Sequence, residues 1–125
     1  MRISHLANDK VLRATVWHEM AHWLWDAADK HPKLAKWRAD LEEHFAQRTA
    51  NDELQTHKDG WKFLRDKWIS DYAGRADYEG RKPGVEVPSV YLSYLSDGPV
   101  GGAMWDHDPH AVETFKLVMS ILGPP

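Results

Sequence analysis

Residues 15–24, TVWHEMAHWL, place two histidines and a glutamate inside an otherwise apolar stretch. His18, Glu19 and His22 belong to a run from position 10 to about 29 that contains no glycine or proline. We expect a helix over that run, begun by Asn8 or Asp9. A buried polar group without a partner costs roughly 1–3 kcal/mol. These side chains therefore need either hydrogen bonds or a charged ligand.

The predicted first helix has two apolar faces. One stripe comprises Leu12, Val16, Met20, Trp23, Leu24 and Ala27. His18 and His22 fall on the neighbouring face together with Val11, Thr15 and Trp25. A helix that is apolar on two faces has little surface left for water, so we expect it to be central to the fold.

The composition limits the chemistry available. The 125 residues include eight histidines and no cysteine, so any metal must be held by histidine and carboxylate groups. The formal net charge of -3 provides no basic field for nucleic acid or for an anionic membrane. No apolar run approaches the length of a membrane span. We therefore expect a soluble protein that binds neither nucleic acid nor membrane.

The rest of the pattern predicts a mainly helical α+β fold, with about four helices and a small or truncated β-sheet. Pro32 is expected to open a second helix that ends near Thr49, and Glu86 a third. Asp108 is expected to cap a last helix that runs to about Leu122. Residues 61–69 are predicted to form a short strand, and residues 50–60, 72–84 and 97–103 to form loops.

His18-Glu19-Met20-Ala21-His22 is a His-Glu-x-x-His motif. The four-residue spacing places both imidazoles on one face of a helix, where they can bind a single metal ion. Zn²⁺ suits nitrogen and carboxylate ligands with one position left open. Glu19 would then be the catalytic base, taking a proton from the metal-bound water. The alternative from the same residues is a pair of buried structural histidines.

The flanks of this motif resemble those of the zincin metallopeptidases. Thr15 and Val16 precede it, and the apolar residues Trp23 and Leu24 follow it. Metzincins are excluded, because Trp25 and Ala28 stand where they carry glycine and histidine. A gluzincin takes its third ligand from a glutamate on a later helix, usually with an acidic residue four positions further on. An acidic residue four positions further on is missing after each of these glutamates: Glu42, Glu43, Glu86 and Glu113.

The chain also resembles the zincin-like domains of phage head-morphogenesis and minor head proteins. Three segments carry this resemblance: residues 18–22, residues 72–75 (YAGR) with Tyr78, and residues 86–89 (EVPS). It implies one zincin-like domain over residues 1–125, which can be the C-terminal part of a longer protein. It also implies that Glu86 is the third metal ligand beside His18 and His22.

The resemblance implies a zinc-dependent metallopeptidase, associated with phage, that hydrolyses peptide bonds in a peptide or protein substrate. Such an enzyme would be located in the cytoplasm of the bacterial host or in the phage particle. Asp26, one turn beyond His22, would orient a ligand, whereas Tyr72, Arg75 or Tyr78 would donate a proton or stabilise an oxyanion.

Three alternatives remain open at this point. A residue of the 105–110 segment, Asp106, His107, Asp108 or His110, would replace Glu86 as the third ligand. A protease similar to the zincins that cleave phage repressors would shift that ligand to Glu42 or Glu43. A non-catalytic, metal-stabilised zincin-like module would act in phage assembly or protein interaction, with phage structural proteins as partners, and would have no need of Glu19.

Overall fold

The computed structural model describes the backbone of residues 2–94 and 108–122, and the side-chain environment of residues 15–93 and 108–121. The described residues form four α-helices and a two-stranded sheet, which confirms the predicted mainly helical α+β class. The elements are α1 (Arg2–Ala27), α2 (Pro32–Arg48), β1 (Leu54–Thr56), β2 (Lys62–Leu64), a 3-10 helix (Asp71–Gly74), α3 (Glu86–Tyr94), α4 (Ala111–Met119) and a 3-10 turn (Ser120–Leu122). Among these helices, none combines the length and apolarity needed to cross a membrane.

Helix α1 begins earlier than the sequence predicts. It starts at Arg2 and continues through Asn8 and Asp9, so the prediction that these residues begin the helix was wrong. Each costs only about 0.7 kcal/mol relative to alanine inside a helix, which a long helix without glycine or proline can accommodate. The predicted starts of α2 at Pro32 and α3 at Glu86 are confirmed.

The last helix starts close to the predicted position. The N-cap of α4 is His110, so the prediction that Asp108 caps this helix was wrong, and the helix begins at Ala111. Asp108 Oδ1 accepts a hydrogen bond of 2.9 Å from the His110 backbone N–H just before it. Its final residues tighten into the 3-10 turn that ends at Leu122, as the sequence predicts. The loop predicted over residues 97–103 lies outside the described residues.

The sheet is a short antiparallel hairpin in which Gln55 pairs with Phe63. Strand β1 lies inside the predicted 50–60 loop, and β2 covers only part of the predicted 61–69 strand, so both predictions were wrong in extent. Gly60, at a φ of +99°, permits the turn between the strands. Arg75 adds a further antiparallel bridge to Phe63 and thereby attaches the segment after the 3-10 helix to the sheet.

Within residues 15–27, the part of α1 whose side chains the structure describes, the fully buried positions lie on one of the two apolar faces. Trp25 is 2% exposed and Ala21 is also buried. In contrast, Trp23 is 66% exposed, and Val16 and Met20 are exposed as well. The prediction that α1 has little exposed surface was therefore wrong. The buried face carries the histidines, because this side of α1 packs against α3.

Aromatic side chains fill much of the core. Phe45 and Trp68 stack with ring centroids 5.3 Å apart, and Tyr91 meets Phe115 edge to face at 4.9 Å. Rings packed in these arrangements stabilise each other beyond the area they bury. They link α2 and the segment after β2 to α3 and α4, which fixes α3 in front of the histidine face of α1.

Candidate metal centre

Helices α1 and α3 bring three potential metal ligands together. His22 Nε2 lies 2.9 Å from Glu86 Oε1 and 3.2 Å from His18 Nε2. All three ligand atoms lie within 4.8 Å of one another, and no other group of three His, Asp or Glu residues among the described residues meets that criterion. Zinc bonds of 2.0–2.1 Å in a tetrahedron place neighbouring ligand atoms about 3.3 Å apart. The donor types and their separations therefore fit one zinc ion.

The turn before α3 determines where Glu86 lies. Gly84 has a φ of +115°, and its carbonyl accepts a 3.1 Å hydrogen bond from the Val87 N–H. A β-carbon at Gly84 would meet Phe45 Cβ at 3.3 Å, so glycine suits both the backbone angle and the space. Glu86 is thus the first residue of α3, where the helix dipole stabilises a negative charge.

Three side chains hold the Glu86 carboxylate, which is 1% exposed. His22 and Ser89 Oγ donate to Oε1, the serine at 2.7 Å, and the Tyr78 hydroxyl donates to Oε2. Burial would raise the pKa of Glu86, but the bonds from His22, Tyr78 and Ser89 outweigh it and lower that pKa to about 2. The hydrogen bond between His22 and Glu86 also raises the pKa of His22, because its effect is larger than the opposing effect of burial. Glu86 is therefore anionic at neutral pH.

A second layer of side chains lies behind Tyr78. The Tyr72 hydroxyl lies 3.4 Å from the Tyr78 hydroxyl and accepts a 3.1 Å hydrogen bond from Arg75 Nη1. The Tyr72 ring also lies beside His18, with centroids 6.5 Å apart. Three of the residues predicted from the loop motif are thus joined to the three predicted ligands.

Gly74 explains why the 72–75 loop lies so close to the sheet. A β-carbon there would lie 2.4 Å from the Leu64 carbonyl oxygen and 2.9 Å from Trp68 Nε1. That indole N–H itself donates to Leu64 O at 3.2 Å. Because only glycine fits between these groups, the loop can hold Tyr72 and Arg75 near the centre.

Glu19 and Asp26 lie outside the ligand group. Glu19 is exposed beside His18, and its charge contributes to the raised pKa of His22. Asp26 is exposed and forms a 3.0 Å ion pair with Arg81, rather than a hydrogen bond with either histidine. Glu19 is therefore exposed to solvent, whereas Asp26 is paired with Arg81.

The alternative ligands that the structure describes do not join this cluster. Asp108 is buried against Arg48, with an Nη2–Oδ1 distance of 3.0 Å, and accepts a hydrogen bond from Tyr91. His110 lies 3.6 Å from Glu113. Asp106 and His107 lie outside the described residues. Neither Glu42 nor Glu43 belongs to the ligand group.

Two residues of the centre were not predicted. Ser89 lies three residues after Glu86 in α3 and donates a hydrogen bond to its carboxylate. Residues three apart are neighbours on a helix surface, so this contact could have been predicted from the sequence. Asp77 binds Arg75 Nε at 2.7 Å, and its other carboxylate oxygen accepts the Lys62 N–H at 3.2 Å. The pairing of Arg75 with the sheet has no comparable signal.

No protein-family model, curated protein or solved structure matches this chain. The candidate metal centre therefore rests on the residues and their geometry alone.

Proposed function

We propose that this protein is a zinc-dependent metallopeptidase with a zincin-like centre. The observation that carries the proposal is the group formed by His18, His22 and Glu86, with Glu19 exposed at its edge. Two neutral imidazoles and one carboxylate form a common ligand set of zinc sites that keep a position open for chemistry. A purely structural site would have no need of an exposed glutamate beside a ligand.

The arrangement of burial defines the side from which a substrate approaches. Glu86 is enclosed, but the His22 side chain is 27% exposed, and His18 is also only partly buried. The centre is thus open beside the two half-buried imidazoles, at the edge of the interface with α3, and Glu19 lies on the exposed part of the same helix. A peptide that crosses this face would have its scissile carbonyl next to Glu19.

Zinc held by these residues would polarise the carbonyl oxygen and a water molecule. Glu19 would accept the proton of the attacking water and pass it to the nitrogen of the departing amine. The water oxygen would bond to the carbonyl carbon and the peptide C–N bond would break, which gives a carboxylate and an amine. Glu86 would remain a carboxylate throughout, held by hydrogen bonds from Tyr78 and Ser89.

The sequence resemblances support the biological part of the proposal. The motifs at 72–75 and 86–89 contribute Tyr72, Arg75, Glu86 and Ser89 to the centre. They favour a role associated with phage, in the host cytoplasm or in the particle, with phage structural proteins as substrates or partners.

The proposal is tested by hydrolysis of an unstructured protein such as casein by the zinc-loaded chain. Wild type is expected to release new amino termini, and Glu19→Gln is expected to lose at least about 100-fold in rate while retaining its zinc. Glu79→Gln, which changes another exposed glutamate, should retain wild-type activity. Zinc binding without hydrolysis in wild type would overturn the peptidase and leave the metal-stabilised interaction module.

A further inference from the structure

We propose that Arg75 is a positioning residue that fixes the third ligand, Glu86, through the hydroxyl groups of Tyr72 and Tyr78; this inference rests on the metal centre of the proposed function. The contacts form an unbroken series. Arg75 Nη1 lies 3.1 Å from the Tyr72 hydroxyl, which lies 3.4 Å from the Tyr78 hydroxyl, and Tyr78 bonds directly to Glu86.

The direction of each hydrogen bond follows from the groups involved. A guanidinium group can only donate, so the Tyr72 oxygen is the acceptor from Arg75. Glu86 is anionic and can only accept, so Tyr78 donates its proton to the carboxylate. The Tyr78 oxygen is then left to accept from Tyr72. All donors in the series point towards Glu86, from a cation at one end to an anion at the other, and such chains strengthen cooperatively.

The cationic end of the series is fixed to the sheet. Asp77 holds Arg75 Nε at 2.7 Å and is itself held by the Lys62 N–H of β2. The Arg75 backbone bridges Phe63 in the same strand. The guanidinium carbon also lies 4.5 Å from the centre of the Tyr78 ring, where the charge is attracted to the aromatic face. These contacts fix Arg75 relative to the sheet, and the hydrogen-bonded series then fixes Glu86 relative to Arg75.

Ser89 holds the other oxygen of Glu86 from within α3. With one oxygen fixed by its own helix and the other by the series from Arg75, the carboxylate is ordered before a metal binds. Loss of the series would leave Glu86 Oε2 to be ordered by the metal, and the entropy cost of that ordering would reduce the affinity.

The test is zinc affinity of the full chain, measured by competition with a chromogenic chelator. Removing Tyr78's direct bond in Tyr78→Phe should weaken zinc binding by about 10–100-fold. Tyr72→Phe and Arg75→Gln should each weaken it by about 3–10-fold, which is smaller because they act through another residue. Arg65→Gln, an exposed arginine also near Phe63, is the matched control and should bind zinc as wild type does.

The double variant Tyr72→Phe/Arg75→Gln separates a series from independent effects. Interruption at either residue breaks the same series, so the double variant should lose no more affinity than the weaker-binding single variant. Losses that multiply, or wild-type affinity in both single variants, would overturn the positioning role. Peptide hydrolysis distinguishes the two proposals: a wild type that binds zinc without hydrolysis removes the peptidase alone, whereas wild-type zinc affinity in the variants removes the series alone.

Discussion

His22, in the middle of the histidine face of α1, lies 2.9 Å from Glu86, the first residue of α3. These two helices share an extensive interface, so the two ligands meet as a consequence of the core packing. The bond is charge-assisted and partly shielded from solvent, which strengthens it relative to an exposed contact. The candidate centre is thus part of the structure that holds the domain together.

The orientation of α1 predicts opposite effects for two tryptophans that are two residues apart. Trp25→Ala should reduce the free energy of unfolding by about 3–5 kcal/mol, because it empties a filled core position. Trp23→Ala should change that free energy by less than about 0.5 kcal/mol, because Trp23 is largely in solvent. Urea denaturation measures both. Equal losses in the two variants would mean that α1 buries a different face.

The ion pair between Arg48 and Asp108 predicts a large loss when one charge is removed. Both side chains are buried, and Arg48 also stacks on Trp68 with its guanidinium carbon 3.8 Å from the ring centre. Asp108→Asn should reduce the free energy of unfolding by about 2 kcal/mol, since Arg48 keeps Asp66 at 2.7 Å from its Nε but loses the charge of its other carboxylate partner.

Asp40→Asn is the control for this variant. Asp40 pairs with Lys36 at 2.7 Å on the exposed side of α2, where solvent screens the attraction. No measurable shift of the urea midpoint is expected there. Equal urea midpoints for Asp108→Asn and Asp40→Asn would contradict the claim that the buried pair stabilises the fold more than the exposed pair.

Gly74 is predicted to tolerate no side chain. Gly74→Ala should reduce the free energy of unfolding by about 1–3 kcal/mol, because the methyl group would meet the backbone oxygen of Leu64. Gly80→Asn is the control: its φ is +71°, which asparagine tolerates, and nothing lies within 4 Å of a β-carbon there. A stable Gly74→Ala beside a destabilised Gly80→Asn would show that conformation, rather than space, limits these positions.

His44 predicts part of the pH dependence of stability. Burial, with help from the charge of Arg48, lowers the pKa of His44 below its ordinary value of 6.5. The group therefore contributes stability above pH 6.5, and this contribution is lost as the pH falls from 6.5 through the lowered value. His22 acts in the opposite direction, because its bond to Glu86 raises its pKa.

Comparison of wild type with His44→Gln isolates the contribution of His44. Between pH 7 and pH 5, wild type should lose stability more steeply than the variant, by at most about 1.4 kcal/mol per pH unit. His31→Gln changes an exposed histidine and should keep the wild-type slope. A His44→Gln protein that follows the wild-type pH profile would contradict this account.

The local signals in the sequence predicted much of the secondary structure. Pro32 and Glu86 marked the starts of α2 and α3, because proline and a first-turn acid suit a helix beginning. The hairpin was harder to predict. The three residues of β1 are all exposed and show no apolar alternation, so only their pairing with β2 reveals the strand.

The orientation of α1 could not be predicted from its own residues. Both of its faces are apolar, and packing against α3 determines which one is buried. The two histidines of the candidate centre were easier to predict, because residues four apart lie on the same face of a helix. Glu86 was predicted only from the resemblance to zincin-like domains, because its distance from His22 depends on tertiary packing. The role of Asp77 depends on sheet pairing and could not have been read from the sequence.

The most direct test of the central claim is the zinc content of the purified chain after zinc is supplied and the excess is removed by dialysis. Elemental analysis should find about one zinc per chain in wild type and in Glu79→Ala, and a small fraction of that in Glu86→Ala. A wild-type protein without zinc would contradict the existence of the metal centre. An undiminished zinc content in Glu86→Ala would contradict the assignment of Glu86 as the third ligand.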